Sequence, residues 1–227
     1  ESFGQLTKLK DLNLEHNKLV KLPESFGQLT ALKKLDLFFC KLTALPESFG
    51  HLTALEELYI GLNTIKSLPE NFGQLVSLKY LDIDSNELKK LPENFGQLIS
   101  LEYLNLKGNQ IHTPPESIGQ LTELVELDLG LNETISLPES IGQLTKLKIL
   151  VIVGDEDKKF TKTVKNALKK LEKQGCRIID DIDEYIEYES EDDYDDYDDD
   201  EDDEDDDDED DDYDDDDYDD DEDDEDD

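Results

Sequence analysis

Apolar and polar residues follow a regular pattern over the first two thirds of the chain. The segment Lys34-Leu35-Asp36-Leu37 alternates polar and apolar residues, which is the period of a short strand with one buried face. The segment from Glu47 to Leu55 follows a proline and starts with glutamate and serine, which favours a short helical or 3₁₀ turn. The pattern therefore predicts units that each combine one strand with one turn.

Glycine and proline show the period of these units directly. Seven glycines are spaced 23 residues apart, and six of the seven prolines keep the same step. The glycines are Gly4, Gly27, Gly50, Gly73, Gly96, Gly119 and Gly142. A fixed period of this length indicates a repeat architecture, in which each unit buries its apolar face against its neighbours. We number seven units over residues 1–153; unit two is residues 24–46, and unit seven is incomplete.

Unit two shows the repeat motif most clearly. Its pattern L-x-x-L-x-x-L-x-L-x-x-C-x-L is formed by Leu29, Leu32, Leu35, Leu37, Cys40 and Leu42. This motif resembles the leucine-rich repeat, and the flanking Leu-Pro-Glu-Ser-Phe-Gly is similar to the 23-residue class of Ras-suppressor-type, plant intracellular Ras-group-related and bacterial proteins. The resemblance implies an α/β solenoid, the leucine-rich repeat horseshoe, with a parallel sheet on the concave face and short helical or 3₁₀ turns on the convex face.

Asparagine stands at the Cys40 position in five other units, where each strand ends and the chain turns inward. An amide side chain both donates and accepts hydrogen bonds, so it can satisfy backbone groups of adjacent turns. We expect a ladder of such side chains along the solenoid, formed by Asn17, Cys40, Asn63, Asn86, Asn109 and Asn132. Cys40 is interpreted as a small buried ladder residue, with a reactive thiol as the alternative.

The repeat pattern ends after Val153, and a helical spacing replaces it. Apolar residues recur at the spacing of an amphipathic helix whose other face carries lysines. They are Phe160, Val164, Leu168 and Leu171. Gly175 suits the end of this helix, and residues 176–179 then predict a last strand. We therefore predict a C-terminal cap over residues 154–182, consisting of a basic amphipathic helix and a strand.

Charge divides the chain into two unequal parts. The chain has 63 acidic and 22 basic residues, and 39 of the acids but no Lys or Arg follow Ile179. The remaining 24 acids and 22 bases leave residues 1–179 nearly neutral. Repulsion among carboxylates opposes collapse, so we predict that residues 183–227 form a disordered acidic tail. Such a tail either assists recognition of a basic partner or serves solubility alone.

The sequence contains no recognisable catalytic or metal-binding constellation. The three histidines fall at different repeat positions, and no CxxC, HExxH, phosphate-loop or nucleophile-elbow motif occurs. We therefore predict a protein that is not an enzyme and has neither a cofactor nor a metal. No apolar run is long enough to span a membrane, and the lysine face lacks the interleaved aromatics of a direct nucleic-acid surface.

The two cysteines indicate in which cellular compartment the protein is expected. Cys40 and Cys176 fall about six strands apart, which at ~4.8 Å per strand is too far for a disulfide bond. A chain without disulfides favours a reducing compartment. We therefore expect a cytoplasmic protein, with a nuclear location as the alternative.

The concave face is the candidate binding surface, because residues between the strand leucines point to solvent there. Exposed aromatic residues collect on it across units two to five inside a charged rim, which is typical of interface hot spots. The aromatic and apolar members are Phe38, Phe39, Tyr59, Leu62, Tyr80 and Tyr103. The charged rim consists of Asp36, Asp82, Asp84 and Lys107. Val151 and Val153 occupy equivalent positions in unit seven and are expected to lie under the cap.

We therefore predict a monomeric interaction scaffold that binds a protein partner on the concave face, with the acidic tail assisting recognition of a basic partner. A second hypothesis starts from the order of the two parts. Repeats followed by a long Asp/Glu tail are similar to the acidic leucine-rich nuclear phosphoproteins, which bind histones as chaperones or regulate phosphatases. The Leu-Pro-Glu-Ser-Phe-Gly segment is a departure from that family.

Overall fold

The computed structural model describes residues 2–132, 136–154 and 160–192, apart from the side chains of residues 2, 3, 191 and 192. Within these ranges, eight strands form one parallel sheet in sequential order. The strands are β1 (Asp11–Asn13), β2 (Lys34–Asp36), β3 (Glu57–Tyr59), β4 (Tyr80–Asp82), β5 (Tyr103–Asn105), β6 (Glu126–Asp128), β7 (Ile149–Val151) and β8 (Arg177–Ile179). Strand pairing joins equivalent positions, so that Leu35 lies between Leu12 and Leu58. The predicted parallel solenoid is confirmed.

A 3₁₀ turn stands on the opposite side of the core in each unit. These turns are Ser2–Gln5, Glu24–Gln28, Glu47–His51, Phe72–Gln74, Phe95–Gln97, Glu116–Gln120 and Glu139–Gln143. Adjacent turns approach closely: a Cβ atom at Gly27 would lie 2.3 Å from the carbonyl oxygen of Ser48. Glycine therefore recurs in the turns because no side chain fits between neighbouring units. We call the sheet face that points away from these turns the concave face.

The core between sheet and turns is an apolar column that runs from unit to unit. The rings of Phe26, Phe49, Phe72 and Phe95 stack within 2° of parallel, with centroids 6.2–6.3 Å apart. Ile118 and Ile141 take the same position in the last two units and are fully buried. Burying such a side chain contributes ~1.5–3 kcal/mol, so stacking supplies the stability that a single unit lacks.

The predicted cap of helix and strand follows the last repeat. Helix α1 (Lys162–Lys173) begins at Thr161, whose hydroxyl accepts a hydrogen bond from the Val164 amide at 3.2 Å. Val164 and Leu171 are buried against the repeat core, and β8 pairs with β7. Gly175, with φ of 92°, makes the turn between α1 and β8. The cap therefore extends the sheet by one strand and the apolar core by the buried face of α1.

A second helix, α2 (Ile182–Asp192), follows β8. The prediction that the disordered tail begins at residue 183 is wrong for residues 183–192. The carboxylate of Asp181 caps the helix start, because Oδ1 accepts hydrogen bonds from the amides of Asp183 at 2.9 Å and Glu184 at 3.2 Å. The rest of the predicted tail, residues 193–227, lies outside the described residues. No helix of the described part of the chain is long and apolar enough to cross a membrane.

Candidate functional site

Ladder side chains hold the turn that follows each strand. Nδ2 of Asn63 donates to three carbonyl oxygens at 2.9–3.0 Å, one of them from Leu37 in the preceding unit. Its Oδ1 accepts a hydrogen bond from the amide of Leu42 at 2.9 Å. The same pattern recurs at Asn86, Asn109 and Asn132. Each amide therefore ties one turn to the turn before it.

The first two ladder positions differ from this pattern. The Cys40 thiol is buried and donates to the carbonyl oxygen of Leu14 at 3.3 Å, which is the inter-unit bond that asparagine makes elsewhere. Asn17 is exposed and donates to carbonyl oxygens of its own unit, those of Leu14 and Glu15. The thiol therefore serves as a structural donor in unit two.

The residue before each ladder position adopts a left-handed conformation. Gly108 fills this position in unit five, with φ of 63°. Bulkier residues fill it elsewhere, with φ between 48° and 53°: His16, Phe39, Leu62, Ser85 and Leu131. This conformation costs a non-glycine residue ~1–3 kcal/mol, so the ladder must hold the turn. It also projects Phe39 and Leu62 outward, where 52% and 40% of their surfaces are exposed.

Three tyrosines form a continuous stack on the concave face. The ring centroids of Tyr59 and Tyr80 are 4.9 Å apart, and those of Tyr80 and Tyr103 are 4.3 Å apart. All three side chains are half-buried. Lys34 extends the stack on one side, with Nζ 5.2 Å from the centroid of the Tyr59 ring. The structure thus brings these predicted surface residues together.

Phe38 packs into a hollow left by a glycine. A Cβ atom at Gly61 would lie 3.1 Å from the Phe38 ring, so the absence of that side chain makes room for the ring. His16 adds a further ring, 5.0 Å from Phe39 and 6.3 Å from Phe38 between centroids. Sequence reasoning missed His16 as a neighbour of this cluster, although it shares the repeat position of Phe39. We call Phe38, Phe39, Tyr59, Leu62, Tyr80 and Tyr103 the aromatic surface.

Carboxylates border the aromatic surface in a half-buried position. Oδ1 of Asp36 accepts from the Phe38 amide at 2.9 Å, and Oδ1 of Asp82 accepts from the Asp84 amide at 3.1 Å. Burial raises the pKa of Asp36, and burial together with the charge of Asp84 raises the pKa of Asp82. Within the described residues, Oδ1 of Asp84 is buried without a hydrogen-bond partner. This rim would therefore gain from a cationic neighbour.

Lys107 lies under α2, not on an open rim. Its Nζ pairs with the Glu189 carboxylate and stands 5.2 Å from the centroid of the Tyr185 ring. Both Glu189 and Tyr185 belong to α2. The ammonium group of Lys107 is therefore engaged by α2.

Helix α2 covers part of the concave face of units six and seven. The Tyr188 hydroxyl donates to Oε1 of Glu126 at 2.5 Å, and Tyr185 lies over Gly130. Val151 and Val153 are buried in a small apolar cluster with Ile179 and the two tyrosines. Their predicted burial is correct, but α2 covers them. The sequence signal was the pair of tyrosines three residues apart, which the acidic composition of this segment obscured.

Asp128 shows how completely α2 closes this part of the face. It is 4% exposed, whereas Asp36 and Asp82, its equivalents in β2 and β4, are half-buried. The amide of Gly130 donates to its Oδ1 at 2.6 Å. Burial is the largest influence on this carboxyl group and raises its pKa to about 7.

Within the described residues, no group of three or more His, Cys, Asp or Glu side chains is arranged so that it could hold a metal ion. Cys40 and Cys176 are buried free thiols. Burial raises the pKa of the Cys176 thiol to about 11, which makes it a poor nucleophile at neutral pH.

Comparison with known proteins places these features in a family. A family model described as a leucine-rich repeat region matches residues 1–78 and 66–187. Among solved structures, a leucine-rich repeat protein from Leptospira interrogans is 33% identical, with a TM-score of 0.71, over 79% of this chain and 44% of that one. An internalin from Listeria monocytogenes is 26% identical, with a TM-score of 0.64, over 79% of this chain and 49% of that one.

A TDR receptor is also similar, at 32% identity and a TM-score of 0.59, over 64% of this chain and 26% of the receptor. The chain therefore spans less than half the length of each of these three structures. A comparison with curated protein sequences gave no match.

Proposed function

The chain belongs to the leucine-rich repeat family, and on this premise we propose that it is a non-enzymatic scaffold that binds a protein partner on the concave face of units two to five. The fold is generally one of protein–protein interaction. The observation that carries the proposal is the contrast between the two ends of this face. The residues of the aromatic surface remain half-buried or exposed, whereas on the same face of units six and seven Asp128, Gly130, Val151 and Val153 are buried.

The charge of the surroundings supports a basic partner. Asp36, Asp82 and Asp84 border the aromatic surface, and one carboxylate oxygen of Asp84 lacks a hydrogen-bond partner among the described residues. Residues 191–227 add 33 acids to the chain. Such a segment attracts a basic protein over distance, which raises the association rate more than the affinity. A cytoplasmic location remains our prediction from the free thiols.

The experiment combines Phe38→Ala with Tyr80→Ala and compares partner capture and affinity with the wild type. We expect binding to weaken by ~2 kcal/mol or more, about thirtyfold, as at an interface hot spot. The matched control combines Val76→Ala with Ile99→Ala, since both residues are exposed and apolar but lie beside the 3₁₀ turns. If circular dichroism shows that the concave-face variant unfolds, the aromatic residues belong to the core and the site assignment is wrong.

A histone-binding or phosphatase-regulating protein is the second candidate, and the 33 acids of residues 191–227 are the observation that favours it. This candidate predicts that the partner is held by the acidic segment. Truncation after Asp192 would then abolish binding, and moderate salt would release the partner because exposed charges are screened. Binding that survives both treatments but is lost in the Phe38→Ala, Tyr80→Ala variant supports the concave-face scaffold instead.

A further inference from the structure

Helix α2 lies on the continuation of the proposed binding face over units six and seven. We propose that α2 is an internal occupant of the partner-binding face and that a basic partner displaces it, which extends the binding face from unit five through unit seven. This inference rests on the proposed function and adds a regulated part to the same site.

The first argument is the shape of the surface beneath α2. Gly130 stands at the repeat position of Gly61, and an aromatic ring lies beside each glycine: a Cβ atom at Gly61 would lie 3.1 Å from the Phe38 ring, and one at Gly130 would lie 3.7 Å from the Tyr185 ring. In both cases an aspartate oxygen is nearer still. The ring over Gly61 comes from the repeats themselves, whereas the ring over Gly130 comes from α2. Helix α2 therefore fills a position on the sheet face that an aromatic side chain of a partner could fill in its place.

The second argument is the apolar area that α2 covers. Val151 and Val153 are 0% and 3% exposed, and they occupy sheet positions that carry polar or aromatic residues in most other units. Without α2, both valines would face solvent on the same side of the sheet as the aromatic surface. Release of α2 would thus join a new apolar patch to an existing one.

The third argument is that α2 is held against unfavourable charge. It contains six acids and no bases, and it covers the carboxyl groups of Glu126 and Asp128. Two cations reduce the repulsion among these carboxylates: Lys107 pairs with Glu189, and Nε of Arg177 donates to Glu184 at 3.0 Å. Both pairs are partly exposed, so each contributes little. The last turn of α2 is acidic as well, although the helix dipole favours cations at the C-terminal end of a helix.

Displacement of α2 requires a partner that binds the open state more tightly than the closed state, and a basic partner meets this condition. It would be attracted to residues 191–227 and would then compete with Lys107 and Arg177 for the carboxylates of α2. Once α2 is released, Glu126 and Asp128 become available to its cations. Because more carboxylates are accessible in the open state than in the closed state, such a partner shifts the population toward the open state.

The experiment measures the opening of α2 in the full chain. The substitution Val153→Cys places a thiol beneath the helix, and its rate of reaction with a thiol reagent reports how often the helix opens. The probe is nona-arginine, with an uncharged glycine–serine peptide of equal length as the control. Cys40 and Cys176 are buried in the repeat core and not in the cluster beneath α2, so they serve as internal references, resolved by peptide mass spectrometry.

We expect saturating nona-arginine to accelerate labelling at residue 153 by about tenfold or more, which corresponds to a tenfold shift in the opening equilibrium. The acceleration should shrink between ~0.05 M and ~0.5 M salt, because the attraction is screened. Tyr188→Phe and Lys107→Gln should accelerate labelling without any peptide. Lys34→Gln is the matched control, since Lys34 pairs with Glu57 on the same face but outside α2.

Two results would overturn the proposal: an unchanged rate at residue 153 under saturating peptide, or an equal acceleration at Cys176, which would mean global unfolding. The proposed function has a separate readout. Phe38→Ala with Tyr80→Ala should weaken partner binding and leave the labelling rate of the free protein unchanged. If this variant binds the partner as tightly as the wild type, the proposal that the aromatic surface binds the partner is wrong, while the labelling data still report on the opening of α2.

Discussion

Asn86 illustrates how much one side chain contributes in this architecture. Its Nδ2 donates to the carbonyl oxygens of Ile60 at 3.0 Å and Asp84 at 2.9 Å, and its Oδ1 accepts from the Ile65 amide at 2.9 Å. The hydrogen bonds with Ile60 and Ile65 connect units three and four, whereas the one with Asp84 lies within unit four. Other side chains of similar volume, such as leucine, would remove the acceptor of the buried Ile65 amide, whereas the carbonyl oxygens of Ile60 and Asp84 keep hydrogen bonds from Asn63 and Leu62.

The substitution Asn86→Ala should therefore lower the free energy of unfolding by about 3 kcal/mol, because a buried unsatisfied backbone group costs ~1–3 kcal/mol. Asn17→Ala is the matched control, since Asn17 occupies the same repeat position but is exposed. The control should lose less than ~1 kcal/mol. Urea unfolding monitored by circular dichroism measures both, and equal losses would show that the inter-unit bonds are not what matters.

Asp128 should make stability depend on pH. Its pKa is about 7 in the folded chain against an ordinary value of 3.8, so the folded state binds more protons between these two values. Stability contributed by this group is therefore present at pH ~4 and is lost as the pH rises through ~7. Asp128→Asn cannot ionise and keeps an Oδ1 acceptor for the Gly130 amide.

We expect Asp128→Asn to be more stable than the wild type at pH ~8, by roughly 1.4 kcal/mol or more, since each pKa unit is worth that much. At pH ~4 the two proteins should be equally stable. Chemical unfolding at both pH values tests this. A constant difference at the two pH values would contradict a perturbed titration of Asp128.

Single residues of the candidate site were predictable to the extent that the repeat frame assigns them to a face. The frame places Tyr59, Tyr80 and Tyr103 on the concave face, and the structure stacks them there. The frame carries no information about what packs on that face from outside the repeats. Lys107 was therefore predicted as a rim residue, although it lies beneath α2.

At the scale of elements, strands and turns were predictable because each unit repeats the same local signals. Helix α2 was not, since its composition is that of a disordered segment. Helix formation there depends on tertiary contacts: Tyr185 and Tyr188 bury their rings against Val151, Val153 and Ile179. Composition alone does not register such a contact, because the two tyrosines stand among six acids.

Two truncations separate the helix from the acidic segment. Truncation after Asp192 should leave the thermal midpoint nearly unchanged, because it removes no described contact. Truncation after Asp181 should lower it by ~4–8 °C, which corresponds to roughly 2 kcal/mol for a domain of this size, because Val151 and Val153 become exposed. Differential scanning calorimetry compares them. A drop larger than ~8 °C in the first truncation would show that residues 193–227 are structural.

At the scale of the whole molecule, the repeats are held together by contacts between neighbouring units. From β1 to β7 each strand pairs with the strand 23 residues away, and the same step separates the stacked rings of the core. Stability is then approximately a sum of unit and interface contributions, so damage in one unit weakens its two neighbours first. Local signals and global packing agree in every unit, which explains why the solenoid could be predicted from sequence.

The distribution of tyrosine has an optical consequence. The chain has no tryptophan and nine tyrosines, of which Tyr194, Tyr197, Tyr213 and Tyr218 belong to the acidic segment. The other five, in β3, β4, β5 and α2, all lie on the concave face. Ultraviolet emission of a chain ending at Asp192 would therefore arise from that face alone. Binding there could be followed by intrinsic fluorescence, without attaching a dye or adding an indole.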